Sequence, residues 1–175
     1  MTKFITEDQI EQFSLSLLKK LGYEHVFGPD IAPKPEGKTP ERDSYKDILL
    51  KGRLKTSLKK INPNATNEMI DQAIRKLERT DSPIQVLNNQ AFHKILTDGL
   101  DIEVNEKGRN STKKLQIIDF ENPSNNEFLA VNQYTIIEGQ HTRRPDILIF
   151  VNGIPLAIFE LKNVADEKAT IETAY

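Results

Sequence analysis

The sequence of 175 residues contains no cysteine. This absence excludes disulfide scaffolds, thiolate zinc sites and cysteine nucleophiles. No apolar run approaches the roughly 18 residues that a membrane-spanning helix needs, and the N-terminus lacks the pattern of a signal peptide. We therefore expect a cytoplasmic protein without a membrane partner.

The chain also has little excess charge of either sign. Its 24 Lys and Arg and 26 Asp and Glu residues give a formal net charge of -2 at pH 7. Any nucleic-acid partner must therefore be held by a local patch rather than by the charge of the whole molecule. The 37% hydrophobic and 29% charged content is typical of a folded protein, and the length fits a single domain over residues 1–175.

Helical patterns dominate the first hundred residues. Thr6 and Gln9 form a capping box, and the apolar residues that follow fall on one helical face at Ile10, Phe13, Leu17, Leu18 and Leu21. A short strand is expected at Tyr23–Phe27, followed by a Pro- and Gly-rich loop. Residues 44–97 are predicted to be a helical insertion with helices at Ser44–Lys60, Asn67–Glu78 and about Ser82–Leu96.

Strand-like patterns follow Gly99. The predicted strands are Leu100–Asn105, Leu115–Phe120 after a polar loop at Glu106–Lys114, and Phe128–Ile137. The final ten residues, Asp166–Tyr175, have the pattern of a helix start. Helices followed by strands predict an α/β fold with mixed α+β character, in which helices flank a central mixed, largely antiparallel sheet.

The clearest element is an apolar hairpin. Ile147–Val151 and Ile154–Phe159 are unbroken apolar runs on either side of Asn152–Gly153, which is the strongest short hairpin signal. Runs so continuous indicate strands that are covered on both faces. We therefore expect this hairpin at the centre of the sheet.

Two carboxylates and an ammonium group lie at the open end of this hairpin. Asp146 immediately precedes one apolar run, and Glu160 and Lys162 follow the other. A carboxylate beside a buried strand needs a partner or a metal, and two carboxylates brought close repel each other. Carboxylate oxygens and a backbone carbonyl, here that of Leu161, suit Mg²⁺, for which Mn²⁺ can substitute. With Lys162 orienting the attacking water, these groups form a unit for metal-assisted phosphodiester hydrolysis.

Whether a Glu-x-Lys tripeptide indicates an active site depends on its surroundings in the sequence. Three acidic-x-Lys tripeptides occur, at Glu36–Lys38, Glu160–Lys162 and Asp166–Lys168, but only Glu160–Lys162 ends a buried apolar run. The alternative is a simple ion pair between Asp146 and Lys162 that blunts the open end of the hairpin. An ion pair between Asp146 and Lys162 does not explain why Glu160 lies on a strand whose neighbouring residues are all apolar.

The length of the hairpin turn determines whether these side chains meet. A two-residue turn sets Val151 opposite Ile154 and directs Asp146 and Glu160 to opposite faces, because side chains alternate along a strand. A three-residue turn with a glycine bulge, or a bulge near Pro145, sets Asp146 opposite Glu160. We expect the second arrangement.

Two groups of basic residues are candidates for contacts with DNA. Arg143 and Arg144 precede the carboxylate and would clamp a phosphate, the alternative being charge balance for the acidic site. The segment Arg42–Lys60 is rich in lysine and arginine, although such a helix is more often a solvated face.

Several longer motifs are specific enough to indicate a family. They are Asn132-Gln133-Tyr134-Thr135, Arg143-Arg144-Pro145-Asp146, Phe150-Val151-Asn152-Gly153-Ile154-Pro155-Leu156 and Phe159-Glu160-Leu161-Lys162-Asn163, with Glu11, Leu21-Gly22-Tyr23, Lys60-Ile61-Asn62-Pro63 and Asp119-Phe120-Glu121-Asn122-Pro123 upstream. In these motifs the sequence closely resembles the N-terminal region of the restriction (R) subunit of type I restriction–modification enzymes. The resemblance covers nearly the whole chain.

The resemblance implies a Mg²⁺-dependent nuclease domain with the restriction-endonuclease-like P-D…E-x-K fold. Asp146 and Glu160 match the metal-binding carboxylates of the family, and Lys162 matches its catalytic lysine. Glu11 matches an acidic position on the first helix that reaches the same site in related nucleases. For Glu11, a solvated helical glutamate is an equally good interpretation.

The implied activity is that of a type I site-specific deoxyribonuclease acting on double-stranded DNA. Its implied partners are the methyltransferase and specificity subunits. ATP binding would belong to a motor outside this chain, because no Gly-rich phosphate loop is present. The Gln-x-x-x-Tyr motif of the family is expected beyond Tyr175. The alternative is a non-catalytic DNA-binding or subunit-docking module.

Overall fold

The computed structural model describes residues 6–79, 82–106 and 108–162. This part of the chain forms four α-helices, α1 (Glu7–Lys20), α2 (Lys51–Ile61), α3 (Asn67–Leu77) and α4 (Gln85–Asp98). Its strands are β1 (Glu24–Phe27), β2 (Leu100–Glu106), β3 (Arg109–Leu115), β4 (Phe128–Asn132), β5 (Ile136–Glu138), β6 (His141–Arg143), β7 (Ile147–Val151) and β8 (Ile154–Phe159). The predicted mixed α/β class is confirmed. The helix start predicted at Asp166–Tyr175 lies outside the described residues.

The chain divides into two compact units. The first contains Met1–Ile48, Phe128–Phe150 and Pro155–Tyr175, and the second contains Leu49–Glu127 and Val151–Ile154. Helices α2 to α4 belong to the second unit. A single domain over 1–175 with a helical insertion at about 44–97 stays a prediction. None of the helices in the described stretches is both long enough and apolar enough to cross a membrane.

The first unit is built on a four-stranded mixed sheet with the strand order β1-β4-β7-β8. Strand β1 pairs in parallel with β4, beginning with Glu24 opposite Leu129. Leu15 of α1 packs in the core against three residues of β4 and β7, namely Ala130, Ile147 and Ile149. Helix α1 starts with the predicted capping box at Thr6.

The buried face of α1 agrees only in part with the face that the apolar pattern predicts. Phe13, Leu17 and Leu21 are 63%, 42% and 75% exposed. The buried residues of the helix are Glu11 and Leu15. Leu18 of the predicted face does pack against the core. The prediction was therefore wrong only for the three exposed residues, and it missed Glu11, because a hydrophobic pattern assigns a glutamate to solvent.

A two-residue turn joins β7 and β8, so the expected three-residue turn is wrong. Strand β7 ends at Val151 and β8 resumes at Ile154, and Asn152 and Gly153 between them have φ angles of 55° and 79°. Positive φ at both central residues defines the type I′ turn, which matches the right-handed twist of the paired strands. If Asp146 contacts the segment after β8, that contact must therefore depend on the path of the backbone outside the two strands.

Among the described residues, strand β8 lies at the edge of the sheet rather than at its centre. All residues of β7 are buried, as predicted, because β7 lies between β4 and β8. In β8, Leu156, Ile158 and Phe159 are 41%, 64% and 37% exposed. The prediction of coverage on both faces was wrong for β8, because side chains on both faces of this strand are exposed.

Residues 44–50 are not helical, although the sequence predicts a helix from Ser44. The hydroxyl of Tyr134 donates to the carbonyls of Asp47 and Ile48 at 3.2 and 3.4 Å. The N–H of Ile137 donates to the carbonyl of Tyr45 at 3.1 Å. Because these carbonyls bind tertiary partners, the helix begins only at Lys51.

In the second unit, β2 and β3 form a regular antiparallel hairpin from Leu100 opposite Leu115 to Glu106 opposite Arg109. Strand β3 therefore occupies most of the segment predicted to be a polar loop, and the predicted strand at Leu115–Phe120 is wrong. Residues 109–114 of β3 are exposed. A strand that is polar on both faces has no alternation of polarity to reveal it.

Candidate active site

Asp146 and the segment after β8 come together just outside the strands. Asp146 immediately precedes β7, and Glu160, Leu161 and Lys162 follow β8 directly. The N–H of Leu161 donates a 2.6 Å hydrogen bond to Oδ2 of Asp146. Because these residues lie outside the strands, the alternation of side chains that a two-residue turn imposes does not extend to this end of the hairpin.

Glu160 lies within electrostatic range of several charged side chains. Partial burial raises the pKa of its carboxyl group, and the negative charge of Asp146 raises this pKa further. Three other side chains have smaller effects on this pKa than Asp146 has. The positive charges of Lys162 and Arg143 lower the pKa, and the negative charge of Glu7 raises it. The structure thus brings Asp146, Glu160 and Lys162 into one charged cluster.

Replacing Asp146 should lower the pKa of Glu160. Asp146→Asn removes the negative charge but leaves the partial burial, so part of the rise should persist. The pKa of Glu160 can be followed by carbon-13 NMR of its carboxyl carbon during a pH titration. Glu7→Gln is the matched control and should lower this pKa by less, because Glu7 has the smaller effect. An unchanged pKa in Asp146→Asn would mean that the two carboxylates are not coupled.

Because the pKa of Glu160 is raised, the contribution of this residue to stability depends on pH in a definite direction. The folded chain holds the Glu160 proton more tightly than the unfolded chain, whose ordinary value is 4.5. The contribution of Glu160 to the free energy of unfolding is therefore fully present below that value and is lost as the pH rises through the raised pKa. Without a cation, the ionised Glu160 makes the folded state less favourable.

The basic residues around the cluster are exposed. Arg143 is the last residue of β6, and both Arg144 and Lys162 are exposed. The charge of Arg143 acts on Glu160, which supports the charge-balance interpretation of that arginine. Phosphate binding by Arg143 and Arg144 stays a prediction, as does the part of the Leu161 carbonyl in binding a metal.

A cavity of about 370 Å³ opens beside Asp146 in the first unit. It is lined by Glu7, Asp8, Glu11, Gln12, Phe27, Asn132, Gln133 and Asp146. Glu11 of α1 is only 9% exposed, so its interpretation as a solvated helical glutamate is wrong. The first helix therefore brings a buried carboxylate to the cavity that Asp146 lines.

Two amide side chains at the end of β4 bind the carboxylate of Glu11. Nδ2 of Asn132 donates to Oε1 at 2.8 Å, and Nε2 of Gln133 donates to Oε2 at 2.9 Å. Nε2 of His25 lies 2.9 Å from Oδ1 of Asn132. Because the amide nitrogen of Asn132 is directed to Glu11, its oxygen is the acceptor and His25 is the donor.

Sequence reasoning assigned no role at the site to Asn132, Gln133 or His25. The available signal was the pair of amides directly after the apolar strand that ends at Val131. Polar side chains in that position need partners if they are buried, and Asn132 is only 5% exposed. The partner on α1 is far away in sequence, so the pattern alone does not identify it.

The donor set fits a magnesium ion. The Oδ1 atom of Asp146 has no hydrogen-bond partner among the described residues, whereas Oδ2 accepts from Leu161. Partial burial raises the pKa of Glu160 most, and the negative charge of Asp146 raises it further; a divalent cation would remove the repulsion between these two carboxylates. Within residues 6–79, 82–106 and 108–162, no three His, Asp or Glu side chains form a ready cation-binding cluster. One or two carboxylates with several waters are the usual protein ligands of Mg²⁺.

Four of the seven basic residues in the segment Arg42–Lys60 are buried or paired with an acidic residue. Arg42 is buried and lies over the ring of Tyr134, with its guanidinium carbon 3.8 Å from the ring centre. Three of the five lysine and arginine residues of α2 form 2.6 Å ion pairs, which are Lys51–Glu78, Arg53–Glu127 and Lys55–Asp71. These pairs favour an ordinary solvated helix over a DNA-binding patch.

The mixed sheet, with α1 packed against it and a Pro-Asp…Glu-x-Lys cluster at one end of a hairpin, defines a restriction-endonuclease-like fold. The family model described as type I restriction enzyme R protein N terminus matches residues 4–175. The chain therefore belongs to this family, and the resemblance noted in its motifs is confirmed.

Curated relatives carry names of the same kind. The "Type I restriction enzyme HindI endonuclease subunit" of Haemophilus influenzae is 36% identical over 172 residues, covering 98% of this chain and 16% of the relative. The "Putative type I restriction enzyme MjaIXP endonuclease subunit" of Methanocaldococcus jannaschii is 36% identical over 163 residues, covering 91% of this chain and 15% of the relative. The chain thus spans a small fraction of the length of the relatives it matches.

Proposed function

We propose that this chain is the Mg²⁺-dependent endonuclease domain of a type I restriction enzyme R subunit. It would hydrolyse phosphodiester bonds in double-stranded DNA within a restriction–modification complex. The observation that carries the proposal is the hydrogen bond from the N–H of Leu161 to Oδ2 of Asp146, which joins Asp146 to the segment that contains Glu160 and Lys162. The names of the relatives, which are endonuclease subunits, support the same activity.

One or two of the carboxylates of Asp146, Glu160 and Glu11, with the carbonyl of Leu161, would hold the ion directly, and the remaining carboxylate would hold it through its waters. When bound, Mg²⁺ would supply positive charge for the phosphate and an acidified water as nucleophile. The N–H of Leu161 holds Asp146 by its hydrogen bond to Oδ2, which leaves Oδ1 available as a ligand for the ion. Mn²⁺ should substitute, because it has the same preference for oxygen ligands.

The side chain of Lys162 would act on the scissile phosphate. Its ammonium group is exposed and near Glu160, where it can orient the attacking water and offset the negative charge that develops on the phosphate. Arg143 and Arg144 would bind neighbouring phosphates through charge-assisted hydrogen bonds. Such contacts carry no information on base sequence, so recognition would come from the methyltransferase and specificity subunits, and ATP would bind to the motor.

A magnesium titration with Asp146→Asn tests this function. In the intact protein, calorimetry should show that the substitution weakens Mg²⁺ binding at this site by more than about 100-fold, since it removes a ligand charge. The control is Asp43→Asn, the same change at an exposed aspartate of the first unit. Equal Mg²⁺ binding in the wild type and both variants would exclude the metal site and favour a non-catalytic docking or DNA-binding module.

A further inference from the structure

The end of strand β4 connects two carboxylate-bearing residues of the proposed site. The side chain of Gln133 donates to Oε2 of Glu11 at 2.9 Å. The backbone N–H of the same residue donates to the carbonyl of Asp146 at 3.1 Å. Gln133 therefore holds Glu11 through its side chain and the backbone at Asp146 through its own backbone.

The backbone of Gln133 adopts an uncommon conformation to make both bonds. Its φ angle is 57°, and Gln133 and Asn152 are the non-glycine residues with positive φ in the described part of the chain. A side chain in this region costs free energy, and such residues are concentrated at functional sites. With this backbone conformation the side chain of Gln133 donates to Glu11, and the next residue, Tyr134, packs edge-on against Phe150.

Asn132 completes the binding of Glu11 from the adjacent position. It is 5% exposed and donates to Oε1 of Glu11, while its own oxygen accepts from His25. Each oxygen of the buried carboxylate thus receives one hydrogen bond from a neutral amide. Each oxygen also keeps a further lone pair, and Glu11 lines the cavity shared with Asp146.

We propose that Asn132 and Gln133 are positioning residues that fix the orientation of Glu11 towards the cavity beside Asp146. The inference rests on the proposed function, because it assigns Glu11 to the same cation site. The two amides set the rotamer of Glu11 without adding charge, so the carboxylate keeps its full attraction for the ion. His25 orients Asn132 in turn. Partners of this kind typically change metal affinity by about 10- to 100-fold when they are removed.

The test compares two identical substitutions at the same cavity. Gln133→Met keeps the length of the side chain and removes the amide, so the affinity of the intact protein for Mg²⁺ should fall about tenfold in calorimetry. Gln12→Met makes the same change at an exposed residue of the cavity wall that gives no hydrogen bond to Glu11 among the described residues. Its affinity for Mg²⁺ should be unchanged. Equal affinities in both variants would overturn the proposal.

A second variant shows whether a loss of Mg²⁺ affinity in Gln133→Met is caused only by a folding defect. Gln133→Gly also removes the amide, but glycine adopts positive φ without strain. It should lose the same affinity for Mg²⁺ as Gln133→Met. Wild-type affinity in Gln133→Gly would show that the amide is not needed, which would also overturn the proposal.

A double-mutant cycle separates positioning of Glu11 from a general structural effect. In a Glu11→Gln background, Gln133→Met should cause no further loss of Mg²⁺ affinity, because its effect passes through Glu11. A full tenfold loss in that background would contradict the proposal. If Asp146→Asn abolishes Mg²⁺ binding while Gln133→Met changes nothing, only this inference fails. If Asp146→Asn also changes nothing, the proposed function fails.

Discussion

Lys162→Ala should reduce DNA cleavage by the assembled complex by about 10³-fold while leaving the affinity for Mg²⁺ within a factor of two or three. Removing a single charge that stabilises a transition state typically costs a factor of about 10²–10³ in rate. The carboxylates that would hold the ion stay in place, so binding and catalysis should separate. Cleavage of plasmid DNA under single-turnover conditions measures the rate, and calorimetry measures the Mg²⁺ affinity.

The chain supplies a matched control for this lysine in a second Glu-x-Lys tripeptide. Lys38, in Glu36–Lys38, forms a 2.8 Å ion pair with Asp30. Its side chain is 81% exposed. Lys38→Ala should therefore cleave DNA at the wild-type rate, since an exposed ion pair contributes little. If Lys162→Ala cleaves as fast as Lys38→Ala, the lysine has no part in the chemistry and the docking-module interpretation gains support.

Gly153→Ala should lower the free energy of unfolding by about 3 kcal/mol. The φ angle of Gly153 is 79°, and a Cβ atom there would lie 2.6 Å from the carbonyl oxygen of Leu50 and 2.8 Å from the nitrogen of Leu54. These are backbone atoms, so relief requires movement of the start of α2. Positive φ costs about 1–2 kcal/mol for a residue with a Cβ, and overpacking adds about 1–3 kcal/mol.

Gly139→Ala separates the two contributions at Gly153. Gly139 has a φ angle of 60°, but a Cβ atom there would have no neighbour within 4 Å. It should therefore lose only about 1–2 kcal/mol. Urea unfolding followed by circular dichroism measures both values. Similar losses in the two variants would show that the contact with α2 can relax without cost.

The hairpin shows how far the sequence can predict this site. The apolar run Ile147–Val151 and the Asn152–Gly153 turn identify the element, and its bounds are confirmed. The three-residue turn expected from the chemistry was wrong, whereas the alternative of a bulge near Pro145 stays a prediction. Asp146 and Glu160 lie outside the strands, where the strict alternation of side chains does not apply. The bond from the N–H of Leu161 to Asp146 depends on backbone geometry that residue patterns do not specify.

The hydrogen bonds from Asn132 and Gln133 to Glu11 could not be predicted from the sequence, for a different reason. Glu11 and Asn132 are 121 positions apart, and only the folded chain brings them together. The apolar pattern of α1 assigned Phe13 and Leu17 to the core, and a buried glutamate contradicts the rule on which that pattern is based. Residues that break such rules are the ones expected at functional sites.

The position of β8 at the margin of the sheet makes the segment with Glu160 and Lys162 the easiest part of the hairpin to detach. Within the described part of the chain, β8 is held by one hydrogen-bonded ladder, to β7, whereas β7 is held on both sides. Local fraying of an outer strand requires less free energy than global unfolding. Such fraying would separate Glu160 from Asp146 and dismantle the charged cluster while the core under α1 stays intact.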